Sequence, residues 1–258
     1  MLQWAMAKLI LVANWKNHPS SLSEARFLLK NLSKKRLLYK KLALFIAPPL
    51  PYMEEAATRT SGFAQLACQN IFKYEKATFT GEVGVDILKS FGVRLAILGH
   101  SEQRALGETA EMVKEKVKLA LKANISPLIC FGEKERDTDG EHFELLRQEL
   151  KLIVGNLSKR EASKIALAYE PAWAIGKSAK DALDPTELMQ TVIFVRKILT
   201  DFFGRRVAES VPILYGGSVE PANAPLLMKA GGVRGFLVGH ASLSGKSFEG
   251  IAKAVLEK

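Results

Sequence analysis

The 258 residues are 48% hydrophobic and 25% charged, a soluble globular composition long for one average domain but ordinary for one α/β barrel. The 37 basic and 27 acidic residues leave a net charge of +10. Only Lys34-Lys35-Arg36 and Lys40-Lys41 cluster, which reads as solvated faces that steer a small anion, not as the concentrated patch of a nucleic-acid binder.

Residues 1–7 are too short and too mixed for a signal peptide, and no apolar run reaches membrane-spanning length. They are expected to form a short N-terminal extension to a single domain over 1–258, in a cytoplasmic protein with neither a membrane nor a nucleic-acid partner. Short β-branched or leucine-rich runs predict strands over 9–13, 42–47, 65–68, 94–98, 127–131, 165–169, 212–215 and 235–238. Between them, helical patterns run over 21–38, 52–60, 83–91, 109–123, 140–157, 185–203, 222–230 and 247–256. The sixth helix is the clearest: Asp184-Pro185-Thr186-Glu187 supplies a cap, a first-turn proline and an acid, and Leu188, Val192, Val195, Leu199 and Phe202 line one face. Cys68 and Cys130 lie in or beside apolar runs without metal-ligand spacing and read as reduced core residues. Eight continuous apolar strands alternating with eight helices predict a (β/α)8 TIM barrel of parallel strands, with a doubly wound sheet as the alternative.

In a barrel the functional loops follow the strand C-termini. Those ends carry Asn14-Trp15-Lys16, Gly99-His100-Ser101-Glu102, Gly132-Glu133, Glu170, Gly216-Gly217-Ser218 and Gly239-His240. Glu170 ends an apolar run and precedes Pro171 and a small-residue segment reaching Gly176, the layout of a base under a lid or, more plainly, of an acid marking a strand end. Gly216-Gly217-Ser218 and Gly239-His240 offer converging backbone N–H groups for a phosphate, where a lone Gly-Gly would be a turn. His100 is a structural strand-end histidine or, beside a carboxylate base, a donor to a substrate carbonyl. Lys16 holds an anion electrostatically or forms a Schiff base, with Glu102 as its ion-pair partner. His18 and His142 lie in polar stretches, are expected to be exposed, and take no role. No residue spacing implies a metal or another cofactor.

The chain resembles the triosephosphate isomerase family from residue 8 to 258. The resemblance is carried by Asn14-Trp15-Lys16, Gln69-Asn70, Phe79-Thr80-Gly81-Glu82, Gly99-His100-Ser101-Glu102, Tyr169-Glu170-Pro171-Ala172-Trp173-Ala174-Ile175-Gly176, Tyr215-Gly216-Gly217-Ser218 and Leu237-Val238-Gly239. It implies interconversion of dihydroxyacetone phosphate and glyceraldehyde 3-phosphate, with Glu170 as base, neutral His100 as electrophile and Lys16, steadied by Asn14 and Glu102, as electrostatic stabiliser. Ser101, Gly216 and Gly217 would support them. Amides of Gly176, Ser218, Gly239 and His240 would hold the phosphate under a lid from Pro171 to Ala179. The resemblance also implies a homodimer in which the loop bearing Thr80 and Glu82 docks beside the partner's site, and Phe72, Tyr74 and Phe79 fit such a face.

Several residues depart from the family pattern. Lys177-Ser178-Ala179-Lys180 lacks a common lid glycine, His240 replaces a second glycine, and Arg234 stands where an aspartate is common, so an ion pair there is lost or rebuilt. Gln103 takes the place of an interface arginine, and the run to Glu108 is about one residue short, both of which predict a weaker dimer. The rival readings are a Schiff-base aldolase using Lys16 and a non-catalytic barrel binding protein.

Overall fold

The computed structural model describes residues 9–75, 78–137, 139–174 and 183–257. Its strands are β1 (Ile10–Asn14), β2 (Ala43–Ala47), β3 (Gln65–Cys68), β4 (Leu95–Leu98), β5 (Ser126–Phe131), β6 (Ala166–Tyr169), β7 (Ile213–Tyr215) and β8 (Gly235–Val238). The helices are α1 (Leu22–Lys34), α2 (Arg36–Tyr39), α3 (Met53–Thr60), α4 (Val85–Ser90), α5 (Ser101–Ala105), α6 (Ala110–Lys122), α7 (Glu141–Val154), α8 (Lys159–Ala162), α9 (Pro185–Phe203), α10 (Arg205–Ser210), α11 (Ala224–Ala230) and α12 (Gly245–Leu256). All eight strands are parallel and the sheet closes on itself, β1 pairing with both β2 and β8. The chain is a (β/α)8 barrel, and the doubly wound alternative falls.

Two buried clusters follow from the period of two along each strand. The smaller takes alternate residues from all eight strands, among them Val12, Phe45, Ala67, Ile97, Cys130, Ala168, Leu214 and Leu237, and fills the barrel. The larger takes the other set, with Leu11, Ile46, Leu98, Phe131, Tyr169, Tyr215 and Val238, and packs it against the helices. Both strand faces are therefore apolar, which is why the strands read as continuous runs. Closure depends on Gly235, which pairs with Ile10 at φ +142°; a Cβ there would lie 1.7 Å from the Ile10 carbonyl oxygen.

The sixth helix keeps its expected bounds. Asp184 caps α9 by accepting the Thr186 amide at 2.8 Å, while the buried face ends on Phe203 and leaves Phe202 partly covered. The single helix expected over 21–38 is two, broken at Lys35, whose N–H turns back to the Leu32 carbonyl at 2.9 Å. The break lets α2 drive Tyr39 into the core against Phe248, with ring centroids 5.8 Å apart. His142, expected at the surface, is buried at 5% exposure, with Nδ1 3.0 Å from Asp137 Oδ2. The flanking Asp139, Glu141 and Glu144 stay exposed, and Asp137 also accepts the amides of Glu141 and His142 at the start of α7. Cys68 and Cys130 are free and buried, as expected.

Among the described residues Arg234 does not rebuild an ion pair. The guanidinium of Arg196 instead donates to the carbonyls of Ala208 and Val211, tying the end of α10 to α9. Burial lowers the Arg196 pKa, and the like charge of Arg234 lowers it further. No helix among the described residues is long and apolar enough to cross a membrane.

Candidate active site

Strand parity selects what enters the mouth of the barrel. Continuing the alternation of Ile10 and Val12 brings Asn14 and Lys16 inward; that of Ala166 and Ala168 brings Glu170 inward, that of Leu214 brings Gly216, and that of Leu237 brings Gly239. These residues, with His100, Gly217, Ser218 and His240, line a cavity of about 810 Å³ at the C-terminal ends of the strands. His100 does not follow from parity alone. Gly99 at φ +76° turns the chain after β4, and His100 becomes the N-cap of α5.

Glu170 is 3% exposed. Its N–H donates to the Phe131 carbonyl at 2.8 Å, and Oε2 accepts the Ser101 amide at 3.2 Å. Burial pushes the carboxyl above its ordinary range, against the pull of the nearby His100 ring and the Ser101 amide. Glycine is required at two neighbours. A Cβ on Gly216 would sit 2.7 Å from Glu170 Cγ, and one on Gly132 would sit 2.1 Å from the Glu170 carbonyl oxygen. Cys130 lies among the barrel-filling residues, and burial followed by the Glu170 charge keeps its thiol protonated.

The imidazole of His100 faces the carboxylate, Nε2 lying 3.5 Å from Glu170 Oε1. Its Nδ1 accepts the Glu102 amide at 3.2 Å. A ring nitrogen that accepts an N–H carries no proton, so Nε2 is the donor and points into the cavity. Lys16 approaches from β1 in the left-handed region at φ +52°, held by Asn14 Oδ1 on its amide at 3.1 Å and by Gln69 Nε2 on its carbonyl at 2.8 Å. The Lys16 ammonium is 2.7 Å from Glu102 Oε1. A Cβ on Gly239 would lie 3.2 Å from Lys16 Cε, so the lysine stem packs on the β8 loop.

The anion side is built from backbone. A Cβ on Gly217 would strike the Tyr215 hydroxyl at 2.2 Å, Ser218 is fixed by Asn223 donating to its carbonyl at 3.0 Å, and His240 opens a 3-10 turn (His240–Leu243) with its side chain exposed. Gly176 and the second half of the expected lid lie outside the described residues.

Thr80 and Glu82 are exposed, on the loop after β3. There Phe72, Tyr74 and Phe79 form a ring cluster with centroids 5.2–6.0 Å apart. Gln103 accepts from Asn70 Nδ2 at 3.1 Å at the foot of that loop.

Three residues given no site role by the sequence take part in positioning. Gln69 carries the Lys16 carbonyl, Asn223 the Ser218 loop, and Glu133 both neighbours of Glu170. Glu133 Oε1 accepts the Tyr169 hydroxyl at 2.7 Å and the Trp173 indole N–H at 2.9 Å. Gln69 and Glu133 end strands on the functional side, which is the available signal; Asn223 has none.

A model of the triosephosphate isomerase family matches residues 9–255. The chain is 36% identical over 253 residues to the triosephosphate isomerase of Flavobacterium johnsoniae, covering 97% of this chain and 100% of that one. It is 36% identical to that of Fusobacterium nucleatum (96% and 99% covered) and 35% identical to that of Rhodopirellula baltica (96% and 98%). Fold, strand-end constellation and end-to-end likeness agree, and the chain belongs to the triosephosphate isomerase family.

Proposed function

We propose that this isomerase interconverts dihydroxyacetone phosphate and D-glyceraldehyde 3-phosphate through an enediolate, as one domain with residues 1–7 as an extension, in the cytoplasm and as a homodimer. The observation that carries this reading is the convergence of a buried carboxylate, an imidazole N–H and an ammonium on one cavity beside a glycine-rich anion loop.

Glu170 removes a proton from the carbon next to the substrate carbonyl. The freed electron pair forms the carbon–carbon double bond, and the carbonyl pair moves onto oxygen. Charge growing there meets His100 Nε2–H and the Lys16 ammonium, a fixed dipole and a fixed charge. His100 passes its proton to that oxygen and takes one from the other, and Glu170 returns its proton to the neighbouring carbon. Ser101 holds the resting carboxylate through its amide, Glu102 orients both His100 and Lys16, and Gly216 and Gly217 give Glu170 and Tyr215 room. Amides of Ser218, Gly239, His240 and Gly176 take the phosphate.

The Lys16 Nζ is engaged by Glu102 Oε1 at 2.7 Å, away from the role of a free amine attacking a carbonyl. Borohydride with substrate is therefore expected to trap no adduct. The deciding assay follows both directions of the isomerisation in purified parent and Glu170→Gln. The variant is expected to fold and lose ~10²–10⁴ in kcat; a rate within about tenfold of the parent removes Glu170 from the role.

A further inference from the structure

Glu133 is a buried acidic side chain that meets two donors and one cation. Its side chain is fully covered, Oε1 takes the Tyr169 and Trp173 donors, and Oε2 is buried with no hydrogen bond among the described residues. One cation lies within ion-pair reach among those residues: Arg136, with Nε 3.9 Å from Glu133 Oε1. Arg136 is itself anchored on α9, donating Nη2 to Thr191 Oγ1 at 3.0 Å and placing Nη1 3.2 Å from Glu187 Oε2. Thr191 is fully buried, so that end of the fork is fixed. Glu133 grips the chain before Glu170 through Tyr169 and after it through Trp173, and its carbonyl also accepts the Ala172 amide at 2.9 Å.

We propose that Arg136 is a positioning residue for Glu170: anchored on Glu187 and Thr191, its guanidinium holds the Glu133 carboxylate that clamps both flanks of the base. The inference rests on the reading of Glu170 as base, and it goes beyond that reading by assigning control of the base to a residue outside the cavity. A planar fork that meets Thr191 and Glu187 while keeping its charge 3.9 Å from Glu133 is a task that lysine cannot copy.

The test measures kcat, KM and Trp173 emission, isolated against Trp173→Phe, in Arg136→Met, Arg136→Lys and Arg136→Ala. Loss of the clamp lets the base drift, so Arg136→Met is expected to lose about 10-fold in kcat with KM nearly unchanged and Trp173 emission shifted. Arg136→Lys should recover only part of that loss. Millimolar guanidinium chloride should raise the kcat of Arg136→Ala where matched sodium chloride does not. Should Arg136→Met fail to fold, the milder pair Glu187→Gln with Thr191→Val removes only the anchors and is expected to lower kcat by about threefold.

A kcat within about twofold of the parent in Arg136→Met or, where that variant does not fold, in the anchor pair overturns the proposal. So does a loss of melting temperature with no change in Trp173 emission and no guanidinium rescue, since that marks a purely structural role. Glu170→Gln in the same assay separates the two readings: if it retains activity, the base assignment has failed, whatever Arg136 does.

Discussion

Glu170 shows how one side chain is made useful by its surroundings. Burial raises its pKa, and the space it occupies exists because position 216 has no Cβ. A carboxyl whose pKa is raised in the folded chain keeps its proton there longer than in the unfolded chain. Between the ordinary value of 4.5 and the raised one, the fold therefore loses stability as pH rises. Glu170→Gln removes that loss. It is expected to melt above the parent at mildly alkaline pH, with the advantage shrinking as pH falls toward 4.5. Thermal unfolding at both ends of that window decides the point, and a constant difference across it would falsify the burial argument. Asp137 has the opposite sign. Burial pulls its pKa up but is outweighed by the His142 and Glu141 amides and the His142 ring, which hold it well below the ordinary range. Its share of stability is present above 3.8 and is lost as acid protonates it in the folded chain.

At the scale of elements, the junction of α9, α10 and β8 brings two arginines together. Arg196 is half-buried among carbonyls, with Arg234 as a like-charged neighbour. Arg234→Asp puts an opposite charge there while leaving intact the backbone bonds through which residue 234 joins β1 and β7. It is expected to raise stability by up to about 1 kcal/mol, with no change in kcat. Denaturant unfolding reads it, and a lower midpoint would mean that Arg234 has a favourable partner of its own. The α1–α2 break carries a related lesson. Residues 21–38 contain no glycine or proline after Pro19, so local propensity continues the helix; packing of Tyr39 against Phe63 and Phe248 stops it.

For the whole molecule, the aromatic cluster on the β3 loop leaves Tyr74 and Phe79 about half exposed, apolar area that a second copy would cover. Sedimentation at micromolar concentration is expected to give a species of twice the 28.4 kDa chain mass, dissociating more readily than usual because Gln103 is turned onto Asn70 within its own chain. A fully active species at the single-chain mass rules the dimer out.

The sequence by itself determined the barrel, because burial on both strand faces writes each strand as an unbroken apolar run, and it marked Asn14, Lys16, Glu170, Gly216 and Gly239 as lying at the ends of those runs; which strand parity turns inward came from the folded barrel. Only the tertiary structure decided the tautomer of His100, the burial of His142 and the clamp from Arg136 through Glu133 to Tyr169 and Trp173. The clamp joins Glu133 to residues 36 and 40 positions further along the chain, and the others turn on which donor meets which acceptor in the folded interior. Periodicity along a strand or helix carries no record of either.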